Sequence, residues 1–383
     1  MKNLLIIFCI GIAVCATTSC SYGQKNAHQL AVRIVDDGGN PRSVHDIAVN
    51  EDGIFVRPFS EDGDGNYKFN LCVEVVNPLE AGIETTVTIE WGETRYQPYR
   101  NYVLVCSEGD VWKRYEAKID RSLSIATITV PKGKSYLGLL PAYPFNRLSS
   151  LLDKIDENPQ IHVSTIGTSR YGNPLYAVQA GNTDKRPLAV ITRVHPYETQ
   201  GSFFIEGMLK WLSGELTNNK YNLSDFLDKY HVVILPMVNP DGVILGTQKR
   251  THGGLNISED CADSPEPEAV AIRTYLYNMN PVVILDLHGW MNRRDNFVTN
   301  DSVRGQLLYD TFMSNKALFK YDIQKVISDY PEVGAEINIG GYLKDRCGAN
   351  FINSSWSGFH RDLHEYHTIG ITYLNTLSSL YAE

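Results

Sequence analysis

Leu188-Ala189-Val190-Ile191-Thr192-Arg193-Val194-His195-Pro196-Tyr197-Glu198 is the stretch that decides the fold. Residues 188–194 read as a fully buried strand, because strands covered on both faces lose the polar alternation of half-exposed ones. An imidazole and a carboxylate three residues apart follow it, at the carboxyl end of a strand, where ligands collect in open α/β sheets. Two further apolar runs, 232–235 and 282–287, have the same character, and 202–212 and 266–277 read as helices between them. The expected fold is α/β, a mixed and largely parallel sheet with helices on both faces.

Upstream the pattern differs. From about residue 30 to 140, short alternating runs such as Thr86-Val87-Thr88-Ile89-Glu90-Trp91 and Ile125-Ala126-Thr127-Ile128-Thr129-Val130 are separated by Gly, Pro, Asn and Asp clusters, which predicts an all-β sandwich. Helical spacing begins with Leu148, Leu151, Leu152 and Ile155. The expected organisation is therefore an export signal at 1–23, a β-sandwich domain at 24–141 and an α/β domain at 142–383.

The export expectation rests on Met1-Lys2-Asn3 followed by an apolar run from Leu4 to Ala16, too short to span a bilayer comfortably. Thr17-Thr18-Ser19-Cys20 loosely resembles a lipoprotein processing site with Cys20 as the lipidated residue, which would attach the chain to a membrane. Ser21-Tyr22-Gly23 before Gln24 suits ordinary signal cleavage equally, giving a periplasmic or secreted protein. Beyond the leader, Cys72, Cys106, Cys261 and Cys347 allow two disulfides or four free thiols. The 383 residues carry 35 Lys+Arg against 44 Asp+Glu, a net charge of -9 without a basic stripe. Nucleic acid is not an expected partner.

The second imidazole comes from Asp286-Leu287-His288-Gly289, at the end of another buried run. His195, Glu198 and His288 would reach one sheet edge if their strands are neighbours. Two histidines and one glutamate make a catalytic zinc set whose fourth position is left to water. Between them lie Asn239-Pro240-Asp241-Gly242, ordinary turn chemistry on its own, then Arg250 and Asn256.

This order of motifs resembles the zinc carboxypeptidase family, most closely its cytosolic-carboxypeptidase-like branch, over roughly residues 136–383. The resemblance implies one zinc held by His195, Glu198 and His288, with Arg250 facing the developing oxyanion and Asn256 and Tyr342 on the substrate. It implies an exported metallocarboxypeptidase or related amide hydrolase acting on a peptide or amino-acid amide. Two departures qualify it. Ile257 stands where the family has an arginine that grips the substrate's terminal carboxylate, so Asn256 and another cation do this, or the substrate lacks that group. Gly370 to Thr376 resembles the strand carrying the family's glutamate general base, yet Asn375 occupies the glutamate position, and an amide cannot accept the water's proton. Glu365 is the substitute if His364-Glu365 lies in the strand and a helix starts at Thr368; otherwise the final helix is short or absent. Losing a positioned base costs about 10²–10⁴-fold in rate. The alternative is thus a catalytically degenerate envelope protein that binds a peptide or glycan-linked ligand without turnover.

Overall fold

The computed structural model describes residue 27 and residues 29–41, 46–61, 63, 66–94, 96, 98, 100–107, 109–290, 295–315, 318–319, 323–327, 339–358 and 361–382. The leader at 1–23, with Cys20, lies outside these residues.

Nine strands form the first sheet: β1 (Ala31–Ile34), β2 (Ile47–Asn50), β3 (Gly53–Val56), β4 (Cys72–Asn77), β5 (Ile83–Glu90), β6 (Tyr102–Cys106), β7 (Trp112–Asp120), β8 (Leu123–Val130) and β9 (Gly133–Gly138). Their order is β1-β4-β9-β6-β7-β8-β5-β3-β2, antiparallel except for β3 with β5. Strand β7 pairs with β6 over residues 112–116 and with β8 over 117–120. The alternation predicted for β5 holds, with Ile83, Thr85, Val87 and Ile89 buried and Glu84 exposed. Val73 and Val75 of β4 share one core with Val87 and Ile89 of β5, so both ends of the strand order enclose the same apolar interior.

The remaining elements are α1 (Phe145–Ile155), β10 (Ile161–Thr168), β11 (Pro174–Gly181), β12 (Leu188–Thr192), α2 (Gln200–Leu212), α3 (Leu223–Lys229), β13 (His231–Leu235), α4 (Pro240–Leu245), α5 (Ile257–Asp260) and α6 (Pro267–Met279). They continue with β14 (Val283–Trp290), β15 (Asp295–Thr299), α7 (Ser302–Ser314), β16 (Ile323–Ile327), α8 (Ile339–Cys347), β17 (Asn350–Ser357) and α9 (Leu363–Tyr381). The second sheet runs β10-β11-β13-β12-β14-β17-β15-β16. Its centre, β13-β12-β14-β17, is parallel throughout, and antiparallel pairs lie toward both edges. The expected mixed α/β fold is present. Each central strand feeds two cores: Leu188 and Val190 face α2 and α9, whereas Ala189 and Ile191 face α5, α6 and α8.

The expectation for the C-terminus needs correcting. Residues 370–376 are not a strand. They lie inside α9, which has 19 residues, so the final helix is long rather than short or absent. Asp362 starts it with a capping box, accepting from the Glu365 backbone N–H while the Glu365 carboxylate accepts from the Asp362 N–H. Tyr366, Ile369, Tyr373, Leu374, Leu377 and Tyr381 then recur on its buried side at helical spacing. The helix lies so close to α2 that a Cβ at Gly370 would sit 2.2 Å from the Phe204 carbonyl oxygen.

The chain passes from one sheet to the other between Gly138 and Phe145, and polar contacts tie the two parts together. Asp37 accepts hydrogen bonds from the backbone N–H groups of Phe145 and Asn146, both at 2.8 Å, at the start of α1. Glu61 accepts from three consecutive backbone N–H groups: Gln248 and Lys249 at 2.7 Å and Arg250 at 3.0 Å. Buried Gln248 reaches the other way, accepting from the Asn70 N–H and donating to the Phe59 carbonyl. No described helix is long and apolar enough to cross a membrane. Cys72, Cys106, Cys261 and Cys347 are free thiols.

Candidate metal centre

β12 and β14 are hydrogen-bonded neighbours, with Thr192 opposite Leu287. The turn after β12 therefore meets the end of β14. His195 closes this turn with its carbonyl accepting from the Glu198 N–H at 3.1 Å. On β14 the alternation that sends Leu285 and Leu287 toward α2 leaves Asp286 and His288 on the opposite face.

His195, Glu198 and His288 offer ligand atoms that all lie within 4.8 Å of one another. His195 Nδ1 is 2.9 Å from Glu198 Oε1, and His288 Nδ1 is 2.8 Å from Glu198 Oε2. The far nitrogens of both rings also face oxygens: His195 Nε2 lies 3.2 Å from Asn256 Oδ1, and His288 Nε2 lies 3.0 Å from Asp286 Oδ2. An Nε2–H donated by His195 to Asn256 Oδ1 fixes that ring's orientation and leaves Nδ1 to serve as a metal ligand, and the Asp286 carboxylate stands behind His288 as an ion-pair partner.

Glu198 is 3% exposed and His288 4%, whereas His195 is partly open to solvent. Burial penalises the Glu198 carboxylate, but the two imidazoles outweigh that penalty and hold it well below the usual carboxylate range. Burial likewise disfavours a charged His288, yet Asp286 and Glu198 raise its pKa well above the ordinary imidazole value. A buried carboxylate clasped by two imidazoles, each with a second oxygen behind it, fits zinc in ligand type and number. Metal uptake would displace the His288 ring proton that faces Glu198.

The other predicted residues fall into two groups. Asn256 joins the centre, but its carboxamide points at His195 and also accepts from the Ser258 N–H as the N-cap of α5. Arg250 lies on the same loop, its Nη1 donating to the Gly254 carbonyl at 2.9 Å. Ile257 is fully buried in the core beneath the sheet. The second group lies on helices. Asn375 sits midway along α9 and donates to the Ile371 carbonyl one turn back, and Glu365 spends its carboxylate on the capping box. Neither occupies a strand beside His288, as the general-base readings required. The strand in that place is β17, with Ser355 level with His288. Tyr342 is in α8, with the Arg346 guanidinium 4.0 Å from its ring centroid.

Sequence reasoning assigned no role to Asp286 or Tyr197. Asp286 was legible in principle, because a residue two before a ligand histidine on a strand shares its face. Tyr197, between the two ligands of the turn, is buried in the core of the first sheet, 5.4 Å from Phe69 between ring centroids. Nothing local signals that contact.

Residues 148–263 match the family model described as zinc carboxypeptidase. An uncharacterized protein from Zymomonas mobilis is 21% identical over 68% of this chain and 67% of its own length. Cytosolic carboxypeptidase 2 of Danio rerio is 25% identical over 43% of this chain, and cytosolic carboxypeptidase 4 of Homo sapiens 26% identical over 47%. The matches span only 25% and 18% of those two proteins. The fold is shared with a metallo-carboxypeptidase from Burkholderia cenocepacia, at a TM-score of 0.77 and 19% identity over 92% of this chain and 98% of that one. It is also shared with a metallo-carboxypeptidase from Pseudomonas aeruginosa in complex with (2-guanidinoethylmercapto)succinic acid, at a TM-score of 0.73 and 16% identity over 91% and 98%.

Proposed function

We propose that this chain, which carries a zinc carboxypeptidase-like domain, is an exported zinc-dependent carboxypeptidase or related hydrolase of peptide or amino-acid amides. One observation carries the reading: His195, Glu198 and His288 converge at the carboxyl ends of neighbouring parallel strands, each ring backed by its own oxygen. Zinc supplies a Lewis acid that polarises a carbonyl and makes water nucleophilic near neutral pH. Asn256 holds the His195 ring in the tautomer the metal needs, and the Asp286 carboxylate sets a negative charge behind His288. Arg250, on the loop gripped by Glu61, offers a guanidinium to charge that develops on the carbonyl oxygen. Ile257 provides no cation for a terminal carboxylate, which favours substrates whose recognition does not depend on one at that point. Export follows from the leader at 1–23, and lipid on Cys20 would keep the protein at the envelope. The test is hydrolysis of a panel of peptides, cell-wall stem peptides and N-acyl amino acids by zinc-loaded protein. Activity abolished by His195→Ala is expected, and failure of the wild type across the panel removes the catalytic claim.

A second reading, ligand binding without turnover, is favoured by β17. This strand runs beside β14 and carries Asn350, Asn353 and three serines but no Asp or Glu. Among the described residues it therefore offers no base level with His288. Ser355→Glu places a carboxylate there. Hydrolysis appearing in that variant where wild type shows none supports the second reading.

A further inference from the structure

Arg193 follows β12 directly and lies two residues before His195. Its backbone is left-handed, with φ of 59°, a conformation an arginine adopts only when its surroundings impose it. The side chain is 1% exposed and forms no ion pair among the described residues. The guanidinium instead spans three segments. Nη2 donates to the Pro196 carbonyl at 2.7 Å; Nη1 donates to the Tyr143 carbonyl at 3.0 Å and the Ser202 hydroxyl at 3.2 Å. Pro196 lies between the ligands His195 and Glu198, Ser202 is in the first turn of α2, and Tyr143 belongs to the crossing between the two sheets.

A buried cation hydrogen-bonded only to neutral oxygens, with its Nε left without a partner, is an expensive way to fill space, and an apolar side chain of similar volume is often at least as stable. What the planar fork supplies is geometry, because three acceptors in fixed directions are met by one rigid group. We infer that Arg193 is a positioning residue for the metal centre, bracing the His195–Glu198 turn so that both side chains face His288 before a metal arrives. The inference rests on the zinc reading above. It assigns Arg193 no contact with substrate or metal.

The test compares wild type with Arg193→Met, which keeps an unbranched apolar stem and loses every side-chain donor, and Arg193→Lys, which keeps charge and loses the fork. Zinc dissociation constants are measured by competition with a chromophoric chelator, beside circular dichroism and thermal melting of the metal-free proteins. The brace predicts a folded Met variant whose zinc dissociation constant rises about 10–100-fold, the range for residues that orient metal ligands. It predicts a rise of about tenfold for Lys. A purely structural role lowers the melting temperature and leaves zinc affinity within about twofold, which overturns the brace. Should the Met variant not fold, the Lys variant decides, and affinity equal to wild type overturns the inference. Wild-type protein that takes up no zinc overturns the metal reading itself, and the brace with it.

Discussion

At the scale of single residues, the centre depends on groups behind the ligands as much as on the ligands. Asn256 both orients His195 and caps α5, so Asn256→Ala carries two separable costs. Zinc affinity should fall about tenfold or more in chelator competition. Metal-free stability should fall by about 1 kcal/mol in urea titration, as for a lost N-cap. An unchanged zinc affinity would show that the His195 ring is held by other contacts. Burial pushes the Cys72 and Cys261 thiols up to about 12. Both should resist iodoacetamide at pH 8 in native protein and react on unfolding, which mass spectrometry of labelled peptides reads directly. The three ligands were legible because each lies at the end of an apolar run that announces a buried strand. Tyr197 was not, since Phe69 is distant in sequence, and neither was Arg193, since its left-handed backbone and its bond to Tyr143 are set by tertiary packing.

At the scale of elements, α9 shows how a short window misleads. Ile371-Thr372-Tyr373 is rich in strand-forming residues, but the helical periodicity appears only when the window extends back to the cap at Asp362. Two substitutions separate the readings. Asn375→Glu, inside a helix and not on the strand beside His288, should leave hydrolysis at the wild-type level. Asp362→Ala removes the capping box and should cost about 0.5–2 kcal/mol in denaturant titration, with zinc content unchanged. Hydrolysis raised well above wild type in Asn375→Glu would contradict the placement of that residue in α9. The parallel centre of the second sheet was readable from its apolar runs. The antiparallel pairs toward its edges were not, because pairing direction is decided by topology and not by composition.

At the scale of the whole molecule, the first sheet and its loops grip the second domain at the functional loops as well as at its edge. Glu61 fixes the backbone of residues 248–250, Tyr197 of the ligand turn is buried in the first core, and Arg147 links Asp110 to Glu206 of α2. Glu206 is buried against Arg147, Lys210 and His367. Burial penalises its carboxylate, yet its partners hold it well below the usual carboxylate range. A carboxyl whose pKa is depressed by folding contributes stability that is fully present above its unfolded value, near 4.5, and is lost as pH falls through the folded value. Wild-type stability should therefore drop below about pH 4.5. Glu206→Gln should be less stable at neutral pH, by about 3–5 kcal/mol for a broken buried network, with a flatter acid limb in melting experiments. An acid limb identical to wild type would show that Glu206 does not drive the transition.

The central claim is that His195, Glu198 and His288 hold one metal ion. Its most direct test is the zinc content of the chain purified without chelator, measured by mass spectrometry of the element beside a His195→Ala control. The account predicts about one zinc per chain in the wild type and loss of it in the control. Wild-type protein without zinc, or zinc retained in full by His195→Ala, would contradict it.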